Sequence, residues 1–368
     1  MLKNYLQRIG LIMLVLVQFS CAKDDNYISL PQDEDPIETS PVVFDIESVP
    51  YQTLSQYNFF EGDLSNLDPV YGVLPYDLIS PLFSDYAHKK RFVWMPEDVS
   101  ASYVNDHSVL NFPVGTILIK NFYFDTVSPG SQTKILETRL MILKEEGWVF
   151  ANYKWNEEQT EANFDLNGSF EAFSFTENNI ERNVNYRIPA EAECLTCHKS
   201  SSDTSIPIGP KPQNLNKSFS YEDGTKNQLQ KWIDMGYLTQ SVPQNIYSVV
   251  DWSDESEPLE LRVRSYLDIN CAHCHSDDRH CDYRPVRFAF NESEDITNLG
   301  VCVEPHTVID PALTYIVSPG NIQRSVIPTR LNTTEESLRM PLLGRTLIHK
   351  EGVDLIEEWI NSLNTICE

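Results

Sequence analysis

Two short stretches of this chain repeat one pattern: Cys194-Leu195-Thr196-Cys197-His198 and Cys271-Ala272-His273-Cys274-His275. C-x-x-C-H reads as a site of covalent haem c attachment, and its spacing follows from the chemistry. Two thiols one helical turn apart both reach the vinyl groups of a single porphyrin. The His, four residues after the first Cys, projects from the same helix face and reaches the iron. Two copies imply two haem c groups, held by Cys194, Cys197, Cys271 and Cys274, with His198 and His275 as iron ligands. Zinc and redox-dithiol readings fit less well. A four-Cys zinc ribbon wants its pairs close together, and pairs beginning at 194 and 271 are not. A thioredoxin-type dithiol requires no His after its second Cys, still less in both copies.

The chain has 368 residues, enough for two or three domains. Its charge is unusual: 28 basic against 54 acidic residues give −26. Such a surface repels nucleic acid and anionic lipid and attracts basic partners, so a redox partner steered by charge would be basic. Eight cysteines are present. Beyond the four in the motifs and Cys21 near the N-terminus, Cys281, Cys302 and Cys367 remain. Cys281 and Cys302 share one loop-rich insert and are expected to pair as a disulfide, leaving Cys367 odd, though it can compete for either partner.

Lys3 and Arg8 precede an apolar run, Ile9 to Phe19, too short for a comfortable membrane span. With Ser20-Cys21 it resembles a bacterial lipoprotein signal, in which the Cys is lipidated and becomes the first mature residue. Gln18 stands where such signals usually carry Leu. The resemblance implies export, a lipid anchor at Cys21 and an outer-membrane location on the periplasmic or surface face. Residues 1–20 then form the signal and 21–41 an acidic, disordered tether.

From 42 to 188 short aromatic strands alternate with turns, which suggests a β-sandwich or barrel. Arg139 to Leu143 and Trp148 to Trp155 read as a hairpin around Glu145-Glu146-Gly147. His88-Lys89-Lys90-Arg91 is the one basic cluster and could meet haem propionates. Two mainly-α haem modules are expected next, 189–250 and 251–368. The first closes on a helix from about Lys226 to Leu238. The second opens near Glu257, with Pro258 at the first helical position, and closes on the stripe Val353, Ile356, Trp359, Ile360 and Leu363.

Met340, followed by Pro341, is placed to be the sixth ligand of the second haem, with His306 and His349 as alternatives; a thioether raises the potential. The first module has neither Met nor His between His198 and Trp232. Its sixth ligand is open among Met235, His88, Met95, His107 and Met141, or absent.

Pro258 to Leu363 resembles a class I cytochrome c domain through its leading helix, Cys271 to His275, Met340-Pro341 and the closing helix. More widely the chain resembles an uncharacterised bacterial family of exported diheme c-type cytochromes. Leu82-Phe83-Ser84-Asp85-Tyr86-Ala87, Pro113 to Thr116, Glu137-Thr138-Arg139-Leu140, Tyr153 to Asn156, Glu193 to His198 and Ile208-Gly209-Pro210-Lys211 carry the likeness. It implies diheme binding and an N-terminal companion domain, but no reaction. Electron transfer is the expected function. The alternatives are a peroxidase-like diheme oxidoreductase with an open first haem, and a surface binding module carrying haem as an accessory. No catalytic constellation is legible, so enzymatic activity stays undecided.

Overall fold

The computed structural model describes residues 39–200 and 204–367. The signal, Cys21 and the tether up to residue 38 lie outside the described residues. Short strands β1 (Phe60–Glu61) and β2 (Asp68–Pro69) pair with each other. The main sheet contains β3 (Leu74–Tyr76), β4 (His88–Trp94), β5 (Ile117–Val127), β6 (Gln132–Lys144), β7 (Gly147–Trp155), β8 (Ala162–Phe164), β9 (Ser169–Glu177) and β10 (Ile180–Ile188). Its order is β10-β9-β5-β6-β7-β8, with β4 also on β5 and β3 on β4, and all pairs are antiparallel. The β6–β7 hairpin turns tightly at Glu145-Glu146, with Lys144 opposite Gly147. Gly147 has φ +121, a conformation that side-chain-bearing residues rarely adopt.

Period-two alternation gives this sheet two different faces. Phe92, Ile119, Leu140 and Ala151 sit opposite one another across β4 to β7. They are buried with Leu54, Tyr57 and Phe59 of the N-terminal segment. Their neighbours Val93, Leu118, Met141 and Phe150 form the matching row on the other face. Val93, Leu118 and Met141 there pack with Leu215, Leu229, Trp232 and Ile269 from the C-terminal half. The architecture is thus one eight-stranded sheet with the N-terminal segment on one face and short helices of the C-terminal half on the other, not the expected two-sheet sandwich or barrel.

The expectation of mainly-α, cytochrome c-like haem modules also fails. Strand occupies 27% of the chain and helix only 19%. Among the described residues the α-helices are α1 (Cys194–His198), α2 (Pro212–Leu215), α3 (Gln228–Asp234), α4 (Leu259–Leu267), α5 (Val326–Leu331) and α6 (Lys350–Ser362), and a small hairpin, β11 (Ser218–Tyr221) and β12 (Gly224–Asn227), precedes α3. Side chains that compete for the backbone cut the helices short. Asn227 Oδ1 accepts from Leu229 N at 3.0 Å and Gln230 N at 3.4 Å, so α3 starts two residues later than the periodicity suggests. Pro258 is the N-cap of α4 instead of its first residue. Between 276 and 325, Asp295 and Asp310 accept from the backbone two residues on, at 2.9 and 2.8 Å, and hold turns in and just beyond the expected loop-rich insert.

The C-terminal half has its own core, in which Val263, Tyr266 and Leu267 of α4 meet Val353, Ile356, Trp359 and Ile360 of α6. From Ser40 onward the chain forms one compact unit. A buried carboxylate links its parts. Asp85, 1% exposed, accepts from Thr346 N at 2.7 and 2.8 Å, Thr346 Oγ1 at 2.9 Å and Leu347 N at 2.7 Å.

The expected Cys281–Cys302 disulfide is not formed. Cys302 pairs with Cys367, Cα to Cα 5.2 Å, and Cys281 is a buried free thiol. Proximity in sequence misleads here. The tail after α6 returns to Cys302, whereas Cys281 turns toward a cavity lined also by Cys274 and His275. Because the bridge closes a loop of 65 residues, Cys302→Ser should cost roughly 4 kcal/mol of stability. Urea unfolding with and without reductant checks this. Cys281→Ser should instead leave the reductant effect intact.

Candidate functional site

The first motif follows directly from the sheet. β10 ends at Ile188, and a tight turn at Glu191–Glu193 leads into α1. Glu193 pairs with Arg187 and accepts from Ala190 N at 3.0 Å, which fixes where the helix begins. One helical turn then puts Cys194, Cys197 and His198 on a common wall, while Leu195 points to solvent at 42% exposure. The second motif continues from α4 through a π-helical turn, Asp268–Ala272. Cys274 N and His275 N both donate to Cys271 O, at 3.1 and 2.9 Å. Asp268, 2% exposed, anchors this turn by accepting from Phe290 N at 3.0 Å and Gln213 Nε2 at 3.2 Å. Asn270 does so through Phe83 N and Tyr266 O, both at 2.9 Å.

Each motif opens onto its own cavity. Cys194, Cys197 and His198 border the first, about 200 Å³ in volume. Cys271, Cys274 and His275 border the second, about 130 Å³. A buried water needs only ~10–15 Å³ on the same measure, so neither is a mere hydration site. The cavities share Cys197, Asn270, His273, Leu331, Met340, Pro341 and Leu343. The Sγ atoms of Cys197 and Cys274 and a ring nitrogen of His273 lie within 4.8 Å of one another.

The imidazoles are set up to bind metal. His198 Nδ1 lies 2.8 Å from Ile206 O. A carbonyl only accepts, so Nδ1 carries the proton and Nε2 keeps the lone pair that a metal needs. Burial pushes both His198 and His275 down to about 4, which keeps the rings neutral at physiological pH. His275 packs edge-on against Phe288, and its buried Nδ1 has no partner among the described residues. Burial also pushes the thiols of Cys194 and Cys271 up, to about 11 and about 12, so both stay protonated. Cys274 Sγ donates to Thr196 O at 3.2 Å, and the closeness of Cys274 and Cys197 lowers the Cys197 thiol and raises that of Cys274.

Met340 lies on the wall between the cavities and borders both. Its backbone N donates to Arg330 O at 3.0 Å, and Arg345 Nε donates to its carbonyl at 2.9 Å. Of its two alternatives, His306 borders the second cavity and lies 3.3 Å from Arg284. His349 borders the first, stacked on Phe83, with Nδ1 3.1 Å from Tyr266 Oη and Nε2 3.8 Å from Glu351. Among the other candidates for the first iron, only Met141 borders that cavity. His88 pairs with Glu177 at 3.4 Å, and Met95 is sealed in the core. His107 and Met235 border neither cavity.

The sequence reading missed Asp268, Asn270 and His273. Asp268 stands three residues before Cys271 at a buried helix end, a usable signal for an anchor. It also missed that Arg91, Lys120 and Arg139 face the first cavity; ionic residues inside otherwise apolar strands were the available clue.

No family model, no curated protein and no solved structure matches this chain. Among the described residues, no helix is long and apolar enough to cross a membrane.

Proposed function

We propose that this chain is an exported diheme c-type cytochrome that transfers electrons. One observation carries the reading: each C-x-x-C-H stretch turns both thiols and its imidazole onto its own cavity, and the cavities meet. Haem c supplies one-electron cycling of its iron. The residues of the chain do the rest. Cys194 and Cys197 anchor one group, Cys271 and Cys274 the other, and His198 and His275 each offer one nitrogen. The Ile206 carbonyl orients His198 for that role. Met340 would offer its thioether to the second iron, a ligand that would favour the ferrous state. The Cys197 and Cys274 sulfurs, within 4.8 Å of one another, would bring the two attachment points close together. Lipidation at Cys21 places the protein at the outer membrane, and its net charge of −26 favours a basic redox partner.

Two other readings have an observation in their favour. Only Met141 among the first-iron candidates reaches the first cavity, which leaves room for an oxidoreductase with an open iron there. Cys197, His273 and Cys274 could instead hold a zinc ion with three ligands. That alternative assigns no role to Cys194, His198, Cys271 or His275, all turned to the cavities.

Carbon monoxide added to the reduced protein separates relay from oxidoreductase. A pure relay binds none; prompt binding at one haem favours the oxidoreductase. Met340→Ala should open the second site to carbon monoxide. It should also lower one potential by on the order of 0.1 V, within the roughly 0.8 V range that axial ligands command. An unchanged redox titration removes Met340 from the ligand set.

A further inference from the structure

The face of the sheet that forms a wall of the first cavity carries a row of cations, flanked on one side by an apolar row and on the other by Lys89, Phe122, Glu137 and Lys154. Arg91 of β4 stands opposite Lys120 of β5, Lys120 opposite Arg139 of β6, and Arg139 opposite Asn152 of β7. The next row toward one end of the strands is Val93, Leu118, Met141 and Phe150. All four polar residues border the first cavity. Like charges directly opposite in a sheet repel, and taking them out of water adds to the cost.

Acidic partners neutralise only part of the row. Arg139 donates Nε and Nη2 to Glu137 at 2.9 and 2.5 Å, and Arg91 donates Nη1 to Asp77 at 2.8 Å. Lys120 makes no hydrogen bond or ion pair among the described residues, and its Nζ rests 4.7 Å from the Phe122 ring centre. Burial, with Arg91, Lys89 and Arg139 nearby, drives its pKa well below the usual lysine range. Arg91 is 5% exposed, and its buried Nη2 has no partner among the described residues. The buried amide of Asn152 has none at either Oδ1 or Nδ2. Unused donors of Arg91 on β4 and Asn152 on β7, in one row with the uncompensated Lys120 of β5, are the complement of an oxyanion.

We propose that Arg91, Lys120, Arg139 and Asn152 form an anion site inside the first cavity, for one carboxylate or inorganic oxyanion. The anion has two possible sources: a propionate of a haem attached at Cys194 and Cys197, or a free oxyanion entering beside the iron. Only the propionate source rests on the diheme reading; the site itself does not.

The experiment uses the full chain, with haem content measured first so that the diheme reading is decided separately. Thermal unfolding is followed against inorganic phosphate or nitrate, with chloride at matched ionic strength, for wild type, Lys120→Gln and Lys120→Arg. A free-oxyanion site gives a saturable rise in Tm that Lys120→Gln abolishes and Lys120→Arg retains. A propionate site gives no such rise. Instead Lys120→Gln lowers the midpoint potential of one haem only, because a cation that opposes the ferric state is gone, and Lys120→Arg restores it. Asn152→Leu carries the same comparison if Lys120→Gln does not fold. The proposal is overturned if no oxyanion stabilises the wild type and neither neutral variant moves a haem potential. In a preparation without haem, absence of the Tm rise alone overturns it.

Discussion

Changing Cys194 and Cys197 together to alanine leaves a chain that carries one covalent haem instead of two. The same holds for Cys271 with Cys274. The expectation follows from the separation of functions in space. Each cysteine pair opens with its own histidine onto its own cavity, and the shared wall supplies only Cys197 from the first pair. The α1 turn is held by Glu193, Arg187 and the Ile206 carbonyl, none of which belongs to the second motif. The second turn is held by Asp268 and Asn270. The remaining site should therefore still load, and the ratio of haem to protein should fall by half. Intact-mass measurement reads this directly. A zinc ion held by Cys197, His273 and Cys274 predicts a different pattern, in which either double variant releases metal and no haem is present at all.

Asp85→Ala should destabilise the protein about as much as loss of the Cys302–Cys367 bridge. Removing the carboxylate leaves Thr346 N, Thr346 Oγ1 and Leu347 N as unpaired donors in a half-buried place. Each orphaned group costs ~1–3 kcal/mol, so a total of about 4 kcal/mol is expected. Asp85→Asn should lose a comparable amount, because its NH₂ group would face donors. The effect reaches function through the chain. Met340, Pro341 and Leu343 border both cavities, Gly344 and Arg345 the first, and the bonds at 346 and 347 fix where that segment ends. Urea denaturation checks the prediction: the midpoint should fall with the slope unchanged. A loss below about 1 kcal/mol would show that the 340–347 segment is held by packing alone.

The attachment chemistry is legible in the sequence because it acts at short range. Two thiols and an imidazole must lie on one turn, and the chain writes that spacing twice. Met340 is legible as a wall residue for a related reason, since a thioether beside Pro341 before an amphipathic helix is a local pattern. What surrounds these residues is not local. Arg91, Lys120, Arg139 and Asn152 are far apart in sequence and become one row only through strand register. Cys302 meets Cys367 because the tail returns past α6, a distance that no spacing argument measures. Helical stripes such as Val353, Ile356 and Trp359 mark which face is buried. They do not reveal how short each helix is: Asn227 caps α3 so that it begins only at Gln228, and the modules, expected to be mainly α, are far less helical than that.

The most direct test is acid-acetone extraction of the full chain, produced in a host able to mature c-type cytochromes, followed by an alkaline pyridine spectrum of the precipitated protein. The expected result is two haems per polypeptide that stay with the protein. A colourless product, or pigment that passes into the acetone, would contradict covalent attachment at Cys194, Cys197, Cys271 and Cys274.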